Sequence, residues 1–129
     1  MKGIKIMVVE DEKMLLKTIE FRLKKENFTI VTAENGKEAQ ELLPKELPDL
    51  IISDVMMPYV SGLELVKHVK DFDGKDIPVI LLTTLRQEQN VIKAFEMGAD
   101  EFMTKPFSPN ELIIRVNRLL RQKGITPHA

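Results

Sequence analysis

The chain contains no cysteine, which excludes disulfides, thiolate metal centres and thiol chemistry. Neither charge is in excess: 19 Lys and Arg stand against 20 Asp and Glu, a net −1. Such a balance gives no overall attraction to nucleic acid or to an anionic membrane surface. Long hydrophobic runs are missing as well. The longest, residues 6–9 and 79–82, are four residues each, far short of a membrane span or the apolar core of a signal peptide. Internal repeats and low-complexity segments are also absent. What is present is 129 residues, 43% hydrophobic and 30% charged, the usage of an ordinary globular domain. A chain of this length buries roughly two-thirds of its unfolded surface, enough for one core. A soluble, cytoplasmic domain over residues 1–123 is expected, with 124–129 a frayed tail or linker stub.

Short apolar runs alternate with amphipathic stretches from end to end. Strands are predicted over 5–9, 29–32, 50–53, 79–82 and 101–103. The first and fourth have the continuous apolar character of buried parallel strands; the second and fifth are weaker and more polar, as edge or short strands are. Leu15, Ile19 and Leu23 place one apolar stripe along a helix over 13–25. A second helix over 35–43 is expected to end at Pro44 and Pro48. Ser61 and Glu64 form a capping box opening a helix to about residue 70. Residues 87–97 repeat the pattern with Val91, Ala94 and Phe95, and Gly98 is a natural C-terminal cap. Ser108, Pro109 and Glu111 combine a capping box with proline at the first helical position. The last helix carries Leu112, Val116 and Leu119 on its buried side. The alternation is (βα)₅, an α/β fold with an open parallel sheet and helices on both faces.

Ligands of open α/β sheets sit beyond the carboxyl ends of the strands. The first predicted strand ends in Glu10 and Asp11, the third in Asp54, the fourth in Thr83, and the fifth leads to Lys105. Each has an ordinary explanation alone: an acid as a cap or turn residue, a threonine as a strand end, a lysine as a solvated cation. Together they bring three acids, a hydroxyl and an ammonium to one edge of one sheet. Crowded carboxylates repel, and a hard divalent cation such as Mg²⁺ relieves them. A lysine suits an anion such as phosphate. A carboxylate nucleophile, a metal, a lysine and a hydroxyl suit phosphoryl transfer to an aspartate.

The blocks VVEDE (8–12), DLIISDVMMP (49–58) with Gly62, PVILLTT (78–84) and GADEFMTKPF (98–107) resemble the receiver domain of two-component response regulators, in order and spacing. The resemblance spans residues 5–121. It implies a flavodoxin-like fold with strand order 2-1-3-4-5. By the resemblance, Asp54 is the phosphoacceptor, and Asp11 and Asp54 ligate Mg²⁺ or Mn²⁺ with the Met56 backbone carbonyl, Glu10 acting largely through water. Lys105 would contact the phosphoryl group, with a cis peptide to Pro106. Thr83 and Phe102 would be the switch hydroxyl and aromatic. The implied reaction takes a phosphoryl group from a phosphohistidine of a sensor histidine kinase or phosphotransfer protein. It then repacks the face formed by the fourth helix, fifth strand and last helix.

Thr84 departs from the small residue usual after the switch threonine, and Met56 and Leu85 are apolar where the family flanks the path of an attacking water. A slowly hydrolysed phosphoryl group is expected. The basic cluster Arg115, Arg118, Arg121 and Lys123 fits a helix C-terminus facing its dipole. It also resembles the activation dimer of the subgroup bearing winged-helix DNA-binding domains. There Asp100 and Glu101 would meet Arg115 or Arg118 of a second subunit, and Lys93 would meet Glu111. Direct nucleic-acid binding is not expected, since no extended basic face or aromatic platform exists. His68 and His128 read as surface residues, and the seven methionines mostly as core filler, with Met14 and Met57 near the site. The alternative to a phospho-accepting module is an unphosphorylated receiver-like scaffold. A dehalogenase-type phosphatase would carry an aspartate where Met56 stands, and a flavin carrier would carry a phosphate-cradling loop after the first strand. No turnover enzyme is expected.

Overall fold

The computed structural model describes residues 3–84, 92 and 95–125. Five parallel strands, β1 (Lys5–Val9), β2 (Thr29–Ala33), β3 (Leu50–Asp54), β4 (Val79–Thr83) and β5 (Glu101–Thr104), form one sheet in the order β2-β1-β3-β4-β5. The described helices are α1 (Lys13–Lys25), α2 (Gly36–Glu46), α3 (Gly62–Asp71) and α4 (Pro109–Gln122). This is the flavodoxin-like architecture, with the two polar strands at the edges. Four of the five strands run one residue past their predicted ends. Among the described residues, no helix is long and apolar enough to cross a membrane.

Alternation along the strands divides the core into two layers. Ile6, Val8, Leu50, Ile52, Ile80 and Leu82 face α1 and α4, packing on Leu16, Ile19, Leu23, Leu112, Val116 and Leu119. Met7, Val9, Ile51 and Leu81 face α2 and α3, packing on Ala39, Leu43, Leu65, Val66 and Val69. A sheet covered on both faces needs the continuous apolar runs of β1 and β4, whose side chains go alternately to each layer.

The local differences from expectation have physical causes. Leu16, not Leu15, is the buried start of the α1 stripe, because spacings of three and then four hold one face better than two fours. Pro44 lies inside α2 rather than ending it: in the last turn a proline forfeits one hydrogen bond at most. The helix closes at Leu47, left-handed at φ 44°, whose N–H donates to the Leu43 carbonyl at 3.0 Å just before Pro48. The capping box at Ser61 is complete. At Ser108 only the forward half forms, since the Glu111 carboxylate accepts from Arg115 instead. Met7 and Met103 are buried and Met57 and Met97 pack partly buried against the core, whereas Met14 and Met56 are exposed, so the described methionines are mostly core residues. His68 is exposed on α3. Of the helix expected over 87–97, Ile92, Phe95 and Glu96 are helical, followed by the turn at Gly98 (φ 111°). Leu85, Val91, Lys93, Ala94 and His128 lie outside the described residues.

Candidate functional site

Strand register assembles the site. Val9 pairs with Ser53, Asp54 with Leu82, and Thr83 with Thr104. Glu10, Asp54, Thr83 and Lys105 therefore stand within a residue or so of one another along the carboxyl edge. Glu10, Asp54 and Thr83 are buried, whereas Asp11 is exposed. One ligand atom each of Glu10, Asp11 and Asp54 lies within 4.8 Å of the others.

The Lys105 ammonium is 3.1 Å from Glu10 Oε1 and 3.1 Å from Asp54 Oδ2. The other Glu10 oxygen accepts from the Glu12 N–H at 3.1 Å. Burial pushes the Asp54 and Glu10 carboxyls above the usual carboxylate range, and the pull of Lys105 does not restore them. Burial would lower the Lys105 pKa, but the negative charges of Asp54 and Glu10 outweigh it and the pKa rises. Lys105 therefore stays protonated. The peptide to Pro106 is cis, and the Lys105 N–H donates to the Thr83 carbonyl at 2.6 Å, tying β5 to β4.

The loop after Asp54 is held by its backbone. The Val55 N–H donates to the Leu82 carbonyl at 3.0 Å, and the Gly62 N–H donates to the Val55 carbonyl at 2.8 Å. A Cβ at Gly62 would lie 2.4 Å from the Asp54 carbonyl oxygen, so only glycine lets α3 start this close to the strand. Thr83 Oγ1 donates to the Thr84 carbonyl at 3.2 Å. Phe102 is half-buried, with its ring edge-on to Phe95 at 5.3 Å.

A family model of the response regulator receiver domain matches residues 6–117. The chain belongs to this family. It is 40% identical over 124 residues to response regulator SaeR of Staphylococcus epidermidis, covering 96% of this chain and 53% of that protein. It is also 40% identical over 125 residues to the phosphate regulon transcriptional regulatory protein PhoB of Pseudomonas aeruginosa, covering 96% and 55%. The receiver domain of the Francisella response regulator 1452 superposes with a TM-score of 0.84 at 36% identity, over 94% of this chain and 99% of that one. The receiver domain described here spans about half the length of the curated relatives it matches.

Among the described residues, the charges expected to meet across a receiver dimer also pair within one chain. Glu101 takes Arg115 at 3.1 Å and Arg118 at 2.8 Å, and Glu111 takes Arg115 at 3.2 Å. Asp100 takes Lys70 at 2.9 Å and Lys123 at 3.0 Å. Two features were not read from the sequence. One is this Asp100 network at the opposite end of the sheet. The other is Ser53, a fully buried hydroxyl beside the acidic site. The only signal for Ser53 was a serine between an apolar run and an aspartate.

Proposed function

We propose that Asp54 accepts a phosphoryl group from a phosphohistidine of a sensor histidine kinase or phosphotransfer protein. The observation that carries this is the Lys105 ammonium 3.1 Å from both Asp54 and Glu10, with Asp11 completing a three-carboxylate cluster. An Asp54 oxygen bonds to phosphorus as the phosphorus–nitrogen bond breaks, and the electron pair leaves on the imidazole. Lys105 is already on the attacked side and follows the negative charge from the carboxylate to the phosphoryl oxygens.

Three carboxylates against one ammonium leave the charge of one divalent cation uncompensated, and the donors are all oxygen, which fits Mg²⁺ or Mn²⁺. Glu10, Asp11, Asp54 and the Met56 carbonyl would hold it, and when bound it supplies positive charge to the phosphoryl oxygens. Thr83 holds a buried hydroxyl on a neutral carbonyl, and a phosphoryl oxygen is the stronger acceptor. Its movement frees space for Phe102 to turn inward, which changes the surface of β5 and its neighbours. Met56, Thr84 and Leu85 restrict the approach of water and lengthen the life of the acyl phosphate.

The domain is its own substrate, taking and losing one phosphoryl group per cycle in the cytoplasm, and does not itself bind nucleic acid. Phosphorylation favours a homodimer in which Asp100, Glu101, Glu111, Arg115 and Arg118 exchange internal partners for those of a second copy, Lys93 joining Glu111. Intact mass after incubation with Mg²⁺ and phosphoramidate tests the central step. Wild type gains one phosphoryl group and Asp54→Asn gains none. Gain by both would place the acceptor elsewhere.

A further inference from the structure

Ser53 sits in the middle of the sheet, between Val9 of β1 and Leu81 of β4. It is fully buried and, by strand alternation, faces the apolar layer of Met7, Val9, Ile51 and Leu81 under α2 and α3. A hydroxyl in such a layer is costly unless bonded, and packing alone favours alanine there. Its Oγ donates to the Asp54 carbonyl at 2.9 Å and lies 4.0 Å from Met57 Sδ.

That bond completes the fixation of one peptide group. The Asp54–Val55 peptide is held at its carbonyl by Ser53 and at its N–H by the Leu82 carbonyl, 3.0 Å away. The next peptide is held at the Val55 carbonyl by the Gly62 N–H at 2.8 Å. The carbonyl after that belongs to Met56. We propose that Ser53 is a positioning residue for the cation site, its hydroxyl orienting the peptide that carries the Asp54 carboxylate on one side and leads to the Met56 carbonyl on the other. This rests on the phosphoryl-transfer reading given above, in which those two groups hold the cation.

Isothermal titration with Mg²⁺, checked by water-proton relaxation with Mn²⁺, compares wild type, Ser53→Ala and Ser53→Cys. Each variant is first verified as folded by its melting transition. Groups that orient metal ligands are worth 10–100-fold in affinity, and with one ligand set of several affected the loss on Ser53→Ala is about tenfold. Ser53→Cys keeps a γ atom in place, larger than oxygen and a weak donor, so it loses affinity as well. Phosphoramidate-driven phosphorylation of Ser53→Ala recovers towards the wild-type rate at saturating Mg²⁺, because the defect is in cation binding. A folded Ser53→Ala that binds Mg²⁺ within about twofold of wild type overturns the inference and leaves the phosphoryl-transfer reading intact. So does a Ser53→Cys that binds like wild type while Ser53→Ala does not, since an atom filling the γ position, and not its hydrogen bond, would then be the cause. Wild type that binds no divalent cation overturns both.

Discussion

Replacing Asp54 by asparagine preserves volume while removing one charge from a crowded site, and the structure gives the sign of the result. The Lys105 ammonium stands 3.1 Å from Asp54, an attraction of about 5 kcal/mol at an effective dielectric of about 20. The ligand atoms of Glu10 and Asp11 stand no more than 4.8 Å away, each repelling by at least about 3.5 kcal/mol on the same footing. Repulsion exceeds attraction by about 2 kcal/mol, and the cost of burying the Asp54 carboxylate acts in the same direction. Lys105 keeps Glu10 as a partner in the variant. Allowing for solvent at the Asp11 side, Asp54→Asn stabilises the metal-free protein by about 1–2 kcal/mol at neutral pH, and raises Tm by about 4–8 °C.

The pH dependence follows from the raised Asp54 pKa. A carboxyl raised by burial is most favourable to the fold when protonated, below its unfolded value near pH 4, and that contribution is lost as pH rises through the folded value. The advantage of asparagine therefore opens between about pH 4 and neutrality and closes in acid. Scanning calorimetry without divalent ions, across that pH range, measures it. Mg²⁺ narrows the gap from the wild-type side, since a ligand stabilises the form that binds it better. An asparagine variant no more stable than wild type at neutral pH, or a gap independent of pH, would refute the reasoning.

Gly62→Ala drives a Cβ to 2.4 Å from the Asp54 carbonyl and 2.8 Å from Val55 Cα, both backbone. Even with a helix-propensity gain, it lowers stability by about 1–3 kcal/mol in chemical denaturation and slows phosphorylation. Lys105→Met keeps the packing of the stem and removes the ammonium 3.1 Å from Asp54; phosphoryl uptake from phosphoramidate falls about a hundredfold in a mass time course. Asp100→Asn loses two charged partners and costs about 2 kcal/mol at neutral pH. Burial would raise the Asp100 pKa, but Lys70, the Val79 N–H and Lys123 lower it, so its contribution holds above the unfolded value and is lost as pH falls through the folded one. Urea melts at pH 7 and pH 3 distinguish this from the opposite trend at Asp54.

Most of the strands and helices were legible because hydrophobic period decides them. β1 and β4 read as apolar blocks, and Ser61 and Ser108 open helices with side-chain caps. The edge placement of β2 and β5 followed from their polarity. The acids, hydroxyl and lysine of the site were legible because each stands at a strand end, and parallel register does the rest. What escaped depends on contacts between distant segments. Pro44 was read as a terminator because propensity carries no information on how many turns remain. The pairing of Glu101 with Arg115 and Arg118 of its own chain went unread because a sequence does not reveal that β5 and α4 place them side by side. Asp100 and Ser53 draw their meaning from bonds that no spacing rule encodes.

The two ends of the sheet use the same chemistry in inverse proportion. At the amino edge, one carboxylate, Asp100, receives Lys70, Lys123 and the Val79 N–H at 2.9–3.0 Å. Donors exceed acceptors, the carboxyl is held below its usual range, and the arrangement ties α3, β4, β5 and α4 together. At the carboxyl edge, three carboxylates share one ammonium, and Asp54 and Glu10 are held above theirs. A site selected for stability alone would have matched its charges, as the amino edge does. The crowding of Glu10 and Asp54 is held in place because the strands that carry them are pinned by two packed layers. In the phosphoryl-transfer cycle we propose, positive charge brought to that edge, and a phosphoryl group stabilised by it, would relieve what the fold alone leaves unbalanced, which is how a change at one carboxylate would gain leverage over the strands around it.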